Sequence, residues 1–261
     1  MTRTSALRIA VATEALKLRR ARVVLVTSVM LVVGIAVLSG SMLLAAARED
    51  PRTAAKLGTL VEPGGWVGYL AAAGQITAVA GLLGFGVALA WSFGREFTDG
   101  TVSGLFALPV SRSTIAAAKL LVHLGWVLVI SVALAAALLV TGFAFGLGAF
   151  DATAAPLLGR QVVVAALTGL LAVPAGWAAT LGRGPLAGIA VLVGIIVVAQ
   201  VAAIGGLGAW FPFAAVGLWA ASPDTGFFTD VGPAQLALTV PVALAFAALT
   251  LDAWQRLQLD R

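Results

Sequence analysis

Long apolar runs separated by short polar stretches make up most of the chain. A helix needs about 20 apolar residues to cross the hydrocarbon of a bilayer. Six stretches reach that length: about 23–47, 69–93, 115–147, 161–181, 185–208 and 235–253. The third is longer than a crossing needs, so a tilt or a projection beyond the membrane is expected. Between the fourth and fifth, Gly182-Arg183-Gly184-Pro185 places a charge and helix breakers between two apolar runs. The pattern predicts an all-α membrane protein with six transmembrane helices in one transmembrane domain over residues 1–261.

The shorter segments add detail at both ends of the helices. In residues 3–20, Leu7, Val11, Ala15 and Leu18 fall on one helical stripe flanked by Arg8, Lys17, Arg19 and Arg20. That spacing predicts an amphipathic N-terminal helix on the inner membrane surface. The bland alternative is a basic topology signal without fixed structure. Ala45-Ala46-Ala47 resembles a cleavage site, but the apolar run from Val23 to Ala47 that it ends is 25 residues long. The apolar core of a cleaved signal is only about 7–15, so a retained first span is expected. Residues 209–234 are broken by Pro212, Pro223 and Pro233 and carry Trp210, Phe211, Phe213, Trp219, Phe227 and Phe228. Such rings favour the membrane–water boundary. Two short re-entrant outer helices between helices five and six fit this, as does a loop packed on the helix ends.

Composition narrows the class. Hydrophobic residues are 61% and charged residues 10% of the chain, against about 45–50% and about 25% in soluble domains. A water-soluble fold is excluded. With no cysteine and a single histidine, His123, disulfides, thiolate metal sites, iron–sulfur clusters and multi-histidine metal sites are excluded too. If both termini are cytoplasmic, 12 of the 16 Lys and Arg residues lie on the inside. The reverse orientation would invert that bias, so both ends are expected inside. The net charge of +5 is then a matter of orientation, and no nucleic-acid partner is expected.

No Asp, Glu, Lys or Arg lies near the middle of a predicted span. Ion-coupled secondary transporters usually place an ionisable group there. No nucleophile–base pair is evident either, and His123 has no obvious carboxylate partner. The larger polar groups within the spans are Gln75 and Gln200, each suited to lining a substrate path or to bonding a neighbouring helix. Gly142/Gly146 and Gly184/Gly188 have the spacing of close helix contacts, but 30 glycines produce such pairs by chance. Pro174 and Pro241 are expected to kink their helices.

The stretch from Gly94 to Arg112 has a pattern of its own. Charge appears at Arg95, Glu96 and Asp99 as helix two is expected to end, near residues 91–94. Thr98 or Asp99 can cap a short helix beginning near Gly100. Val102, Leu105, Phe106 and Leu108 form its apolar side, Pro109 ends it, and Ser111 or Ser113 can cap helix three. An amphipathic helix between two spans suits docking to a partner protein, or merely lies on the lipid surface.

This run resembles the signature of the type-2 permeases of ATP-binding-cassette transporters. The matching residues are Glu96, Gly100-Thr101, Leu105 to Leu108, Pro109-Val110-Ser111-Arg112 and Lys119. The resemblance implies a transport subunit without its own ATPase, and the chain has no Gly-x-x-x-x-Gly-Lys-Ser/Thr phosphate loop. It implies a cytoplasmic ATP-binding-cassette ATPase partner, which holds the ATP and magnesium. It also implies a second permease copy, as homodimer or heterodimer, in the lipid bilayer of a cell membrane. The run after helix two would be the coupling helix, with Arg95, Glu96, Phe97, Asp99, Gly100, Thr101, Leu105, Phe106, Pro109 and Arg112 as coupling residues. Arg95 and Glu96 can form charge-assisted bonds to the ATPase or to the N-terminal helix, and on this view Glu96→Ala or Phe106→Ala uncouples transport and leaves folding intact. Helices two and five would line the path, giving Gln75 and Gln200 a place in it. Short outer loops favour export of a hydrophobic drug, peptide antibiotic, lipid or ion. A stand-alone channel or a secondary transporter for a neutral substrate is the competing class.

Overall fold

In hydrocarbon no water is present to bond a free backbone N–H or C=O, so apolar runs of this length must be helical. The structure, a computed structural model, describes residues 3–46, 65–107, 109–221 and 231–258, without the side chains of Arg3, Ala46 and Phe106. Every regular element among the described residues is helical. Six helices are long and apolar enough to cross a membrane: Arg22–Ala45, Gly65–Thr98, Arg112–Ala144, Ala154–Leu181, Pro185–Ile204 and Pro233–Gln255. They are called here the first to sixth spans. Ala47, Leu108, Pro223, Phe227 and Phe228 of the sequence reading lie outside the described residues.

Several boundaries differ from expectation for local reasons. The second span continues past Trp91 to Thr98, so Arg95 and Glu96 sit in its last turns. Charge did not end the helix, because Glu96 is neutralised by partners inside the fold. The fourth span starts at Ala154, well before Gln161. The Asp151 carboxylate accepts the backbone N–H groups of Thr153 and Ala154, each at 3.0 Å, and the Thr153 hydroxyl at 2.6 Å. These bonds anchor the first turn and hold the Asp151 carboxyl below its usual range, the Thr153 hydroxyl contributing most. The fifth span ends at Ile204, where Gly206 takes φ +77° and Leu207 bonds back to the Ala202 carbonyl at 2.9 Å.

Both internal prolines interrupt their spans. The fourth divides into Ala154–Leu171 and Pro174–Leu181, joined by i→i−3 bonds from Ala172 to Gly169 and from Val173 to Leu170. The sixth divides into Pro233–Ala237 and Thr239–Gln255. Pro241 has no N–H for the Ala237 carbonyl and its ring crowds that oxygen, so the break falls one turn earlier, at Leu238. The first and second spans each contain a π-helical turn, Met30–Gly34 and Thr77–Gly81, and the two turns pack together.

The fourth span is central, with 67% of its most apolar stretch buried, whereas the fifth and sixth have 17% each. Outward side chains such as Leu25, Val129, Val201 and Ile204 are apolar and exposed, as lipid contact requires. Two glycines set the spacing of the second, fourth and fifth spans. A Cβ on Gly94 would stand 2.3 Å from the Pro185 nitrogen, and one on Gly188 would stand 2.5 Å from the Ala175 carbonyl oxygen. Of the Gly184/Gly188 pair, then, Gly188 is a true close approach, while Gly184 precedes the first turn of the fifth span. Gly188→Val is expected to destabilise the bundle by about 1–3 kcal/mol, because a backbone oxygen cannot step aside as a side chain would. Gly194→Val, facing open space, should leave the thermal midpoint in detergent unchanged. Equal midpoints for the two variants would refute this packing.

Candidate functional site

The N-terminal helix, Arg3–Arg20, bends at Ala21 (φ −80°, ψ 121°) and lies across the third span as a strap. The stripe expected to meet lipid turns the other way: Leu7, Val11 and Leu18 are half-buried on the protein side. Ile9 and Leu16 are the exposed apolar residues, at 56% and 54%. Both faces are thus apolar, and the strap is amphipathic only through its charges.

In the middle of the inward face lies Glu14, 6% exposed. It pairs with Lys17 of its own helix and with Lys119 of the third span, and both of these also reach Glu96 of the second. The Lys119 ammonium, from the third span, donates to Glu14 at 2.8 Å, to Glu96 at 2.8 Å and to the Ser92 carbonyl at 3.0 Å. Lys17 donates to Glu14 at 2.8 Å and to Glu96 at 3.0 Å. Two carboxylates and two ammoniums therefore form a neutral, hydrogen-bonded clasp of the strap, second span and third span. Buried charge is tolerated only when paired and bonded in this way. Desolvation lowers the Lys17 pKa, but hydrogen bonds and attraction from Glu14 and then Glu96 prevail, raising it above the ordinary lysine value.

The clasp reaches the following segment through one hydroxyl. Gly100, at φ +69°, reverses the chain after the second span, and Thr101 donates a short hydrogen bond to the second oxygen of Glu96. A residue with a Cβ would be strained at that φ. The short helix expected near Gly100 spans Val102–Phe106. Thr98 and Asp99 do not cap it. The Thr98 hydroxyl donates to the Arg95 carbonyl, and Asp99 ends the second span and pairs with Arg95 at 3.5 Å. Ser111 does cap the third span, accepting the Thr114 N–H at 3.2 Å.

The remaining sequence-predicted residues divide into two groups. Glu96 is buried, Phe97 packs edge-on to Trp254 at 6.4 Å, and Leu105 packs against the core. Arg95 stacks over Trp91 at 4.6 Å, and Arg112 donates to the Leu257 carbonyl. These face the protein. Asp99, Gly100, Thr101 and Pro109 face outward, with Ser103 and Gly104 between them. Sequence reasoning missed Glu14, Lys17 and Trp254. Glu14 had left a trace, being the sole acidic residue among the first 48.

The opposite end of the bundle holds the two glutamines. Gln75 and Gln200 line one cleft of about 130 Å³ between the second span, the fifth span and a helix at Pro212–Ala220. This last helix buries Ala214, Ala215, Val216 and Leu218. Arg160 ties it to the fourth span, stacking over the Trp219 ring at 4.5 Å and donating to the Trp219 carbonyl. A third glutamine, Gln161, escaped notice because its span was expected to begin there. It is buried and donates to the Thr77 hydroxyl at 2.7 Å. Thr77 in turn donates to the Ala73 carbonyl at 2.7 Å, at the head of the π-helical turn. His123 is also structural, with Nε2 donating to the Gly169 carbonyl at 3.1 Å.

Six helices long and apolar enough to cross a bilayer define a multi-pass membrane protein. Residues 10–200 match the family described as ABC-2 family transporter protein. The match covers most of the chain, and the chain belongs to this family of ABC transporter membrane components. No curated protein matches it.

Proposed function

We propose that the chain is the permease subunit of an ATP-driven exporter and works with a separate ATPase subunit on the strap side. The observation that carries this reading is the clasp. The outward segment around Asp99–Pro109 is bonded through Thr101 and Glu96 to the second span, the third span and the strap at once. A push on that segment therefore moves three helices together. The Lys and Arg distribution supports placing this end in the cytoplasm, with both termini inside. ATP and magnesium belong to the partner. The permease pairs with a second copy, homodimeric or heterodimeric, in a cell membrane.

The cleft beside Gln75 and Gln200 is the substrate path of this reading. Its other residues include Leu82, Ile196 and Phe213. An apolar wall with two neutral amides favours a hydrophobic drug, a peptide antibiotic or a lipid over an ion. The test is co-expression of the chain with an ATP-binding-cassette ATPase. Asp99→Arg combined with Ser103→Arg, both on the outward surface, should lower ATPase copurification and ATP-driven transport at least about tenfold, as expected for contacts at the centre of an interface, while loss of the exposed Arg95–Asp99 pair lowers thermal stability only slightly. ATP-independent transport by the chain alone would favour the channel or secondary-transporter reading instead.

A further inference from the structure

The strap's charges are unevenly used. Its carboxylate, Glu14, is taken up by Lys17 and Lys119 in the clasp. Arg8, Arg19, Arg20 and, just beyond the bend, Arg22 are all exposed and make no ion pair among the described residues. Helical geometry places these arginines in a pattern. At 3.6 residues per turn, Ile9, Ala12 and Leu16 form a stripe, with Arg8 and Arg19 along one edge and Arg20 along the other. The stripe runs on into the outward face of the first span, where Leu25 and Val26 are 64% and 57% exposed. That face belongs to the lipid-facing surface of the bundle. Arginines at its rim can lay their stems on apolar surface and present guanidinium groups at headgroup level.

We infer that the outward face of the strap is a binding site for anionic phospholipid headgroups. Charge complementarity favours this occupant, since four exposed cations rim the outward face while the strap's own carboxylate, Glu14, is turned inward to Lys119. Continuity with the lipid-facing first span favours a lipid over a protein. The same helix then has two grips. Its outer face holds headgroups and its inner face holds Glu96 and Lys119. Membrane charge thereby acts on the helix that braces the coupling segment, a consequence that rests on the function proposed above, whereas the lipid binding does not.

The experiment uses the full chain, purified in detergent without any ATPase and titrated with phosphatidylglycerol or phosphatidylcholine. Phosphatidylglycerol is expected to raise the thermal midpoint, less so at high salt, and phosphatidylcholine is not. Replacing all four arginines by glutamine should weaken the phosphatidylglycerol response on the order of 100-fold, since each cation near an anionic surface contributes a severalfold factor. Lysine at the same four positions should retain it. The chain has no cysteine, so a single introduced cysteine reports whether a variant keeps its orientation. Should the fourfold glutamine variant invert, Arg8→Gln with Arg19→Gln should still give a partial loss. An equal response to both lipids, or an undiminished response in the glutamine variants, overturns the inference. So does a glutamine variant that loses ATPase copurification in the co-expression assay while keeping its lipid response, which would assign this face to a protein.

Discussion

Glu96→Ala is expected to destabilise the bundle by about 3–5 kcal/mol, the usual cost of removing one partner from a buried ion pair. This revises the expectation that truncating Glu96 would uncouple transport and leave folding intact. Glu96 is 2% exposed and accepts from Lys119, Lys17 and Thr101. Its removal leaves the Lys119 ammonium, 1% exposed, with Glu14 and a backbone carbonyl as its remaining partners. Lys119→Met should cost a similar amount, because it leaves Glu14 and Glu96 sharing Lys17 alone. Lys17→Gln should cost less, since its side chain is 32% exposed and water screens what remains. Glu96→Gln with Lys119→Met restores charge balance around Glu14 and Lys17. The double variant should therefore lose less than the sum of Glu96→Gln and Lys119→Met measured singly, as expected for residues in one network. The measurement is unfolding in detergent by heat or by denaturing surfactant. Wild-type stability in Lys119→Met would refute the clasp as a structural unit.

The second large effect is expected at Trp254. Its side chain is fully buried, its Nε1 donates to the Thr180 hydroxyl at 2.9 Å, and its ring meets Phe93 edge-on at 5.6 Å and Phe97 at 6.4 Å. Trp254→Ala should cost about 3–5 kcal/mol. The cavity would open where the second, fourth and sixth spans meet, beside Phe93 and Phe97. Trp254→Phe keeps most of the ring packing and loses the hydrogen bond, so a smaller loss is expected. Thr180→Val removes the acceptor without touching the ring, together with the hydroxyl's own bond to the Gly176 carbonyl at 2.8 Å, and should cost on the order of 1 kcal/mol. Thermal midpoints of the three variants should fall in that order. If Trp254→Ala matches Thr180→Val, the ring packing contributes little and this account of the strap end fails.

The two ends of the bundle differ in how far their chemistry can be read along the chain. Glu96, Gly100, Thr101 and Lys119 stand close together in sequence, and their spacing singled them out. Their partners Glu14 and Lys17 lie about eighty residues away on the strap, and no local pattern joins them. A buried carboxylate and an exposed one look alike in a string of letters. The sequence therefore left Glu96 two uses, a bond to a partner ATPase or one to the N-terminal helix; the structure turns it inward to Lys17 of that helix and leaves Asp99 and Gly100 outside. Gln75 and Gln200 were singled out as the larger polar groups in apolar helices, and the structure brings them to one cleft. Gln161 was missed because the Asp151 cap extends its helix backward by nearly two turns, a local bond stronger than the hydropathy trend.

The six membrane helices and the position of the proline breaks were determined by residue order. Hydrocarbon admits no unpaired backbone, so length and apolarity alone dictate helices there, and a proline in a helix interior, lacking an N–H, forces a break at or just before it. The direction in which each helix faces was decided by tertiary structure. Lipid and protein interior are equally apolar, so the hydrophobic stripe of the strap carried no information about which of them it would meet. What turned it inward was the pairing of Glu14 and Lys17 with Lys119 and Glu96, ion pairs of 2.8–3.0 Å that only the folded bundle brings together.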